Sequence, residues 1–316
     1  MGSLPAFIAR RLLVALPTLL VVSFIVFGLQ LLLPGDPALL LAGEDRDPQV
    51  IAYMRELYRL DEPIWVQYGD WVLRLLQGDL GESIRLKESV GGLIATKLWV
   101  TAELAILSML WAVAIGVPAG IVAAVKRDTI WDWTASAIGL AGLSIPNFWL
   151  GIMMILFFSV QLGWLPASGY VSPWEDPVGN LAALAMPSFV LGSGVAAVLM
   201  RHTRSAMLTV LNADYIRTAR AKGLAEKRVV RRHALRNALV PVVTLGAIQL
   251  GELLGGAVLT EQVFSIPGFG KLIVDAVFNR DYAVVQGVVL VTALAFILLN
   301  LVADLIYFLV NPRMRG

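Results

Sequence analysis

Six runs of apolar residues, each long enough to cross a bilayer as a helix, dominate the sequence: Leu12–Leu33, Leu98–Val125, Thr134–Leu162, Leu181–Met200, Ala238–Leu259 and Ala283–Val310. A hydrocarbon core needs about 20 such residues, and inside it the chain itself must satisfy every backbone N–H and C=O. A helix does so within one segment. The runs therefore predict an all-α integral membrane protein with six transmembrane helices. A mean hydropathy of +0.76 and a charged fraction of 15% agree, since soluble domains carry about a quarter charged residues. Pro17, Pro118, Pro146, Pro187 and Pro241 lie inside the runs, where neighbouring groups re-satisfy the freed backbone. The first run follows Arg10 and Arg11 as a signal peptide would. It is longer than a signal's apolar region, and LLLPGDP offers no cleavage site of small residues, so it reads as an uncleaved span.

Charge sets the orientation. With the N-terminus in the cytoplasm, sixteen of the 25 Lys and Arg residues fall on that side: Arg10, Arg11, Lys126, Arg127, ten between Arg201 and Arg236, Arg313 and Arg315. The external connections hold nine, with sixteen of the 23 acids, and no Lys or Arg lies inside a run. This bias puts both termini inside. The chain then divides into 1–33 (terminus and first helix), a small external helical segment 34–97, and a five-helix core 98–316 with a cytoplasmic loop at 201–237 between helices 4 and 5. In the external segment, PQVIAYMRELYRL and PIWVQYGDWVLRLLQG read as amphipathic helices opened by a Pro at the first helical position, and GDLGES as a turn. So small a piece is marginal alone and is expected to rest on the membrane part. It serves there either as a lid or as a docking surface. Trp65, Tyr68 and Trp71 suit an interface and equally suit anchoring at the bilayer surface.

The loop stretch Ala213–Asn237, ADYIRTARAKGLAEKRVVRRHALRN, carries eight Lys or Arg against two acids. In its second half Arg228, Arg231, Arg232 and Arg236 share one helical arc, with Val229, Val230, His233 and Ala234 opposite. In its first half Tyr215, Ile216 and Ala219 share a side. Gly223 lies between, where a helix ends or bends. Two short helices at an angle along the cytoplasmic face fit this pattern. A basic loop touching anionic lipid fits it too.

Much chemistry is excluded. With no Cys in the chain, disulfides, thiolate metal sites and a cysteine nucleophile are ruled out. His202 and His233 are the only histidines and neither lies in H-E-x-x-H. There is no G-x-x-x-x-G-K-[ST] phosphate loop, so the chain cannot bind and hydrolyse ATP by that route, and there is no G-x-S-x-G elbow. A membrane enzyme and an ATPase-independent channel or carrier are the competing classes. Three acids fall at or within the runs, and an ionisable group at membrane depth faces protein or an aqueous cavity by default. Glu103, near a span end, is expected to reach the interface, and Asp304 to pair with a neighbouring Arg or backbone group. Glu252 is near mid-span among Gly246, Gly251, Gly255 and Gly256. It serves either as a hydrogen bond across a helix interface, aided by the G-x-x-x-G of Gly251 and Gly255, or as a cavity-lining acid. Gln249 and Asn300 are further cavity candidates.

DYIRTARAKGL followed by HALRNALVPVVT resembles the coupling segment of ABC importer permeases, in its peptide-transporter variant. LPGDP (Leu33–Pro37), LDEPIWVQY (Leu60–Tyr68), GDLGES (Gly78–Ser83), TRSAM (Thr203–Met207), FSIPGFGKL (Phe264–Leu272) and NPR (Asn311–Arg313) are similar to that family's landmarks and come in the same order. QLGWLP and GVAAV lean towards the glutathione and short-peptide branch. The resemblance implies a bacterial cytoplasmic (inner) membrane permease that pairs with a second homologous permease, two cytoplasmic ABC ATPase subunits and an extracytoplasmic substrate-binding protein. Lipid surrounds it, and no nucleic acid is involved. It implies no cofactor in this chain, with ATP and Mg bound by the ATPase. It further implies that Asp214–Gly223 docks on the ATPase, through Asp214, Tyr215, Arg217, Thr218, Ala219, Arg220 and Gly223. The general E-A-A-x-x-x-G pattern falls on Arg217, Thr218, Ala219 and Gly223, and only the last two match. Ala219 and Gly223 are expected to let another chain approach closely. Glu252, Gln249 and Asn300 become substrate-pathway residues, and Trp65, Tyr68, Trp71, Pro267 and Gly268 external gate or docking residues. Dipeptide, longer peptide, glutathione and a nickel chelate remain open as cargo. The His-poor, Cys-free spans argue against coordinating a bare metal ion.

Overall fold

The computed structural model describes residues 4–32, 38, 47–57 and 59–310. The helices in chain order are α1 (Leu4–Leu32), α2 (Pro48–Leu57), α3 (Ile64–Leu76), α4 (Val90–Val125), α5 (Ile130–Ser144), α6 (Asn147–Met154), α7 (Pro177–Leu211), α8 (Asp214–Ala221), α9 (Leu235–Gly256), α10 (Val258–Val263), α11 (Phe269–Phe278) and α12 (Tyr282–Val310). A π-helical stretch, Ile155–Gln161, prolongs α6, and a turn at Glu226–Arg228 with a π-helical turn at Val229–Ala234 leads into α9. The described residues form no strand beyond one isolated bridge between Glu82 and Ser89.

Among the described residues three helices are long and apolar enough to span a membrane: α4, α7 and the continuous run Glu226–Gly255. The pair α5 and α6 passes the same test together, and Leu13–Gly28 and Tyr282–Leu298 are shorter apolar helices. The third expected span is not straight, because its two halves meet at 98°. The break falls at Ile145 and Pro146, both extended (ψ 123° and 131°). Proline disfavours helical backbone in the residue before it, and Pro146 itself leaves the helical region as well. Pro17, Pro118, Pro187 and Pro241 stay inside continuous helices. In the external segment Pro48 opens α2 as expected, but Pro63 sits one position outside α3, as its N-cap.

The described chain packs as two units. In the unit built on Val100–Gly270, α7 is the axis. Its apolar stretch is 72% buried, against 28% for α4 and 17% for Glu226–Gly255. The crossing of α4 and α7 is close because small residues line it. A Cβ on Gly116 or Gly120 would collide with the backbone of Ala196 or Met200, and one on Gly192 with the carbonyl of Ser108. Such contacts drive helix association where lipid removes the hydrophobic incentive. Around them, Leu104, Ala112, Leu184, Val190, Leu191 and Leu199 form a core that reaches Val242 and Leu253 of α9. Asp176 caps α7 by accepting the N–H groups of Val178 (3.1 Å) and Gly179 (2.9 Å), an arrangement that satisfies donors with no partner in the helix.

The other unit joins the chain up to Trp99 with Lys271–Leu298. Here α3 rests on α1: Tyr68 OH and Ser23 Oγ share a hydrogen bond (2.8 Å), and Phe27 lies against Tyr68 and Trp71 (centroids 5.4 and 5.5 Å). The GDLGES turn uses positive φ at Gly78 and Gly81. Its Ser83 is buried and donates to Asp281 Oδ2 (2.5 Å) at the start of α12.

Candidate functional site

The basic segment folds as one short helix standing on a two-helix stem. The stem exists because α7 continues past Met200 to Leu211, and because the helix containing α9 begins at Glu226, well before Ala238. The second half of the segment is therefore not a separate surface helix, as the sequence reading had it, but the first turns of a span. The charged arc faces outward: Val229, Val230 and Ala234 are buried, His233 half-buried, and Arg228, Arg231, Arg232 and Arg236 exposed.

Between the stem helices, α8 packs by its apolar side. Ile216 (0% exposed) and Ala219 (7%) join Ala124, Met207, Val229, Val230, Ala234 and Ala238 in one cluster. Ala219 is thus small because its own chain surrounds it, not because another chain must approach. Gly223 has φ +76° with open space where a Cβ would stand, so conformation rather than close approach requires it. It closes α8 in a Schellman motif, with the Gly223 N–H on Arg220 O (2.9 Å) and the Leu224 N–H on Ala219 O (3.4 Å).

The opposite side of α8 is open. Asp214, Arg217, Thr218 and Ala221 are exposed and recur at the i, i+3, i+4, i+7 spacing of one helix face. Arg217 reaches Asp214 within that face (3.4 Å). Two more of the expected contact residues are engaged within the chain. Arg220 holds Glu226 through Nη2 (2.7 Å) and Nε (3.1 Å), which raises its already high pKa. Tyr215 OH accepts from Asn237 (2.8 Å). The segment thus presents a rigid, mostly polar knob.

The acids of the membrane helices divide clearly. Glu103 is half-buried and accepts the Tyr170 hydroxyl (2.8 Å) instead of simply reaching the interface. Burial and that carboxylate push the Tyr170 phenol upward. Glu252 is exposed on α9 and has no hydrogen-bond partner among the described residues, with Gln249 half-buried one turn earlier. Gly246 and Gly255 have nothing within 4 Å of a built Cβ, so no described helix of this chain uses the expected close approach at Gly255. Val240, Val243 and Ile248 are exposed on the same helix. The side chains of Asn300 and Asp304 lie outside the described residues, as do the landmarks Leu33–Pro37 and Asn311–Arg313.

Among the external candidates only Trp65 is well exposed (75%), while Tyr68 and Trp71 are half-buried against α1. Pro267 is half-buried and Gly268 buried. The reason is Glu261, a residue read from sequence as an ordinary external acid. Its carboxylate is 0% exposed and accepts Thr101 Oγ1–H (2.6 Å), while Thr101 Oγ1 accepts the Phe269 N–H (2.8 Å). A Cβ on Gly268 would fall on that carboxylate. An acid inside AVLTEQVF, a mostly apolar stretch, was the signal available. A second pair missed from sequence is Asp132 with Arg204, whose partners are 72 residues apart.

The comparisons with known proteins agree with this geometry. Residues 116–316 match the family described as binding-protein-dependent transport system inner membrane component, and residues 4–105 match the corresponding N-terminal family. The chain is 46% identical over 309 residues to the glutathione transport system permease protein GsiC of Salmonella choleraesuis (strain SC-B67), covering 98% of each chain. Identity to the protein of that name from Escherichia coli (strain K12) is 45% over the same length and coverage. Among solved structures, a chain of the MetNI methionine ABC transporter in an inward-facing conformation matches with a TM-score of 0.57 at 26% identity, over 69% of this chain and 96% of that one. The chain therefore belongs to the inner-membrane components of binding-protein-dependent transport systems: it is a permease subunit of an ABC importer, a transport component and not an enzyme.

Proposed function

We propose that the chain forms half of a translocation pathway for glutathione or short peptides and receives its driving energy through α8. The observation that carries this is the build of α8: one face sunk in a cluster shared with both stem helices, the other a polar knob open to a partner. A force on such a knob moves the stem as a body, which is how a two-state element is biased from outside. Two ATPase subunits, which bind ATP and Mg, meet the cytoplasmic side, one of them at α8, and both chain termini lie on that side. A second homologous permease covers the open α9 face, so that Glu252 and Gln249 line the pathway between the two chains. There an acid meets the amino group or amides of a passing peptide. An extracytoplasmic binding protein delivers the cargo, with Trp65 at its contact surface. Glutathione or a short peptide is favoured over a nickel chelate because relatives 45–46% identical over 98% of the chain are glutathione transport permeases.

The test is isolation and reconstitution. An ATPase and a second permease should copurify with this chain, and vesicles holding the complex should take up glutathione or a dipeptide only with ATP and the binding protein. Uptake without any ATPase would favour a carrier. ATP-driven uptake of chelated nickel alone would keep the machine and change the cargo.

A further inference from the structure

A polar contact on the stem is not used by the reading above. Arg204 Nε donates to Asp132 Oδ1 (2.6 Å) and Nη2 to Oδ2 (2.8 Å), so both carboxylate oxygens are taken by one guanidinium fork. Oδ2 also accepts the Asp128 N–H (3.1 Å), and Asp132 is only 5% exposed. Arg204 stands on α7 three residues before Met207, which is fully buried in the cluster that seats Ile216 and Ala219 of α8. The same short stretch of α7 therefore holds α8 through Met207 and α5 through Arg204.

Farther along α5, glycines face α7. Gly139 lies under the end of the Met200 side chain, and a Cβ on Gly142 would stand 3.5 Å from the Ala197 methyl. Small and flexible groups of this kind tolerate sliding. A bidentate guanidinium–carboxylate pair has one register, and displacing it would leave a nearly buried carboxylate without its partner, which is strongly unfavourable. The far end of α5 is the 98° break at Pro146, where α6 departs.

We propose that Arg204 and Asp132 are positioning residues that lock the start of α5 to the stem of α7, so that a push on α8 is delivered to the broken pair α5–α6. The proposal rests on the reading of α8 as the ATPase contact. Because the chain has no Cys, paired spin labels can be placed at exposed positions, Thr134→Cys on α5 and Thr209→Cys on α7, in this chain alone before it is assembled with its partners in vesicles. With the native pair, the label distance stays narrow and identical with and without ATP. In Arg204→Ala or Asp132→Ala it matches the native distance at rest and departs from it when ATP binds. In those variants uptake of glutathione or alanyl-alanine per ATP hydrolysed falls by roughly 5- to 150-fold, the range of an ordinary coupling free energy. The swap of Arg204→Asp with Asp132→Arg restores both readouts in large part.

A native distance that changes with nucleotide overturns the lock. So do single variants that keep the native distance and coupling, and a swap no better than the single variants. If the alanine variants do not assemble, Arg204→Lys decides, since it keeps the charge and loses the fork: intermediate loss supports the lock and native behaviour overturns it. Failure of α8 to touch an ATPase, with the α5–α7 distance still locked by the pair, removes the coupling reading and leaves the lock standing.

Discussion

The seat of α8 can be tested at Ile216. This side chain is fully buried among Met207, Val229, Val230 and Ala234, and deleting a buried Ile to Ala costs about 2–5 kcal/mol. α8 has only eight residues, Asp214–Ala221, far below the length at which a helix persists alone, so most of that loss falls on its docking. At 1.4 kcal/mol per decade, even the low end raises the population of the opened segment about 30-fold. Arg217, Arg220 and Lys222 are exposed trypsin sites on the segment, and cleavage tracks the open population while reclosing is fast. Ile216→Ala should therefore be cut at α8 at least about 30 times faster than the native chain. The neighbouring surface change Thr218→Ala should stay within about twofold. If Ile216→Ala and Thr218→Ala are cut at similar rates, α8 is not held by this cluster and the knob is not rigid.

Three further expectations follow from the same geometry. Gly223→Ala meets no steric obstacle but must adopt φ +76°, a cost of about 1–2 kcal/mol, so it should open the same trypsin sites about tenfold, with Gly223→Asn closer to native. Thr101→Val removes the acceptor of the buried Phe269 N–H and should lower stability by about 1–3 kcal/mol in thermal unfolding of the detergent-solubilised chain; Thr101→Ser should restore it. Glu252→Ala should cut uptake while the complex still assembles, and native uptake in that variant would assign Glu252 to packing.

Three spans, and a fourth as a bent pair, were legible because lipid demands unbroken apolar runs, and a run can be read one residue at a time. Their ends were not. α7 runs past Met200 to Leu211, and the next long helix opens at Glu226, because apolarity marks the stretch that lipid touches while the hydrogen-bonded ladder continues through charged turns. The break at Pro146 was invisible for a related reason, since four other prolines look the same in sequence and sit within continuous helices. In the coupling segment Gly223 was read both as the end of a helix and as a point of close approach; its φ of +76° and the open space at its Cβ support the first and not the second, since the sequence marks a residue without a Cβ but not whether space or φ requires it. Glu261 and Asp132 were missed because their meaning lies in Thr101 and Arg204, 160 and 72 residues away. No local pattern carries a pairing of that range.

The most direct measurement uses the absence of cysteine in the chain. A single Thr218→Cys on the open face of α8 is treated with a short bifunctional cross-linker in the assembled importer, beside Trp174→Cys, 82% exposed in the connection before α7. The account predicts an adduct between position 218 and the ATPase, and none from position 174. An assembled, ATP-driven complex in which position 218 never reaches the ATPase, or does so no more than position 174, would contradict it.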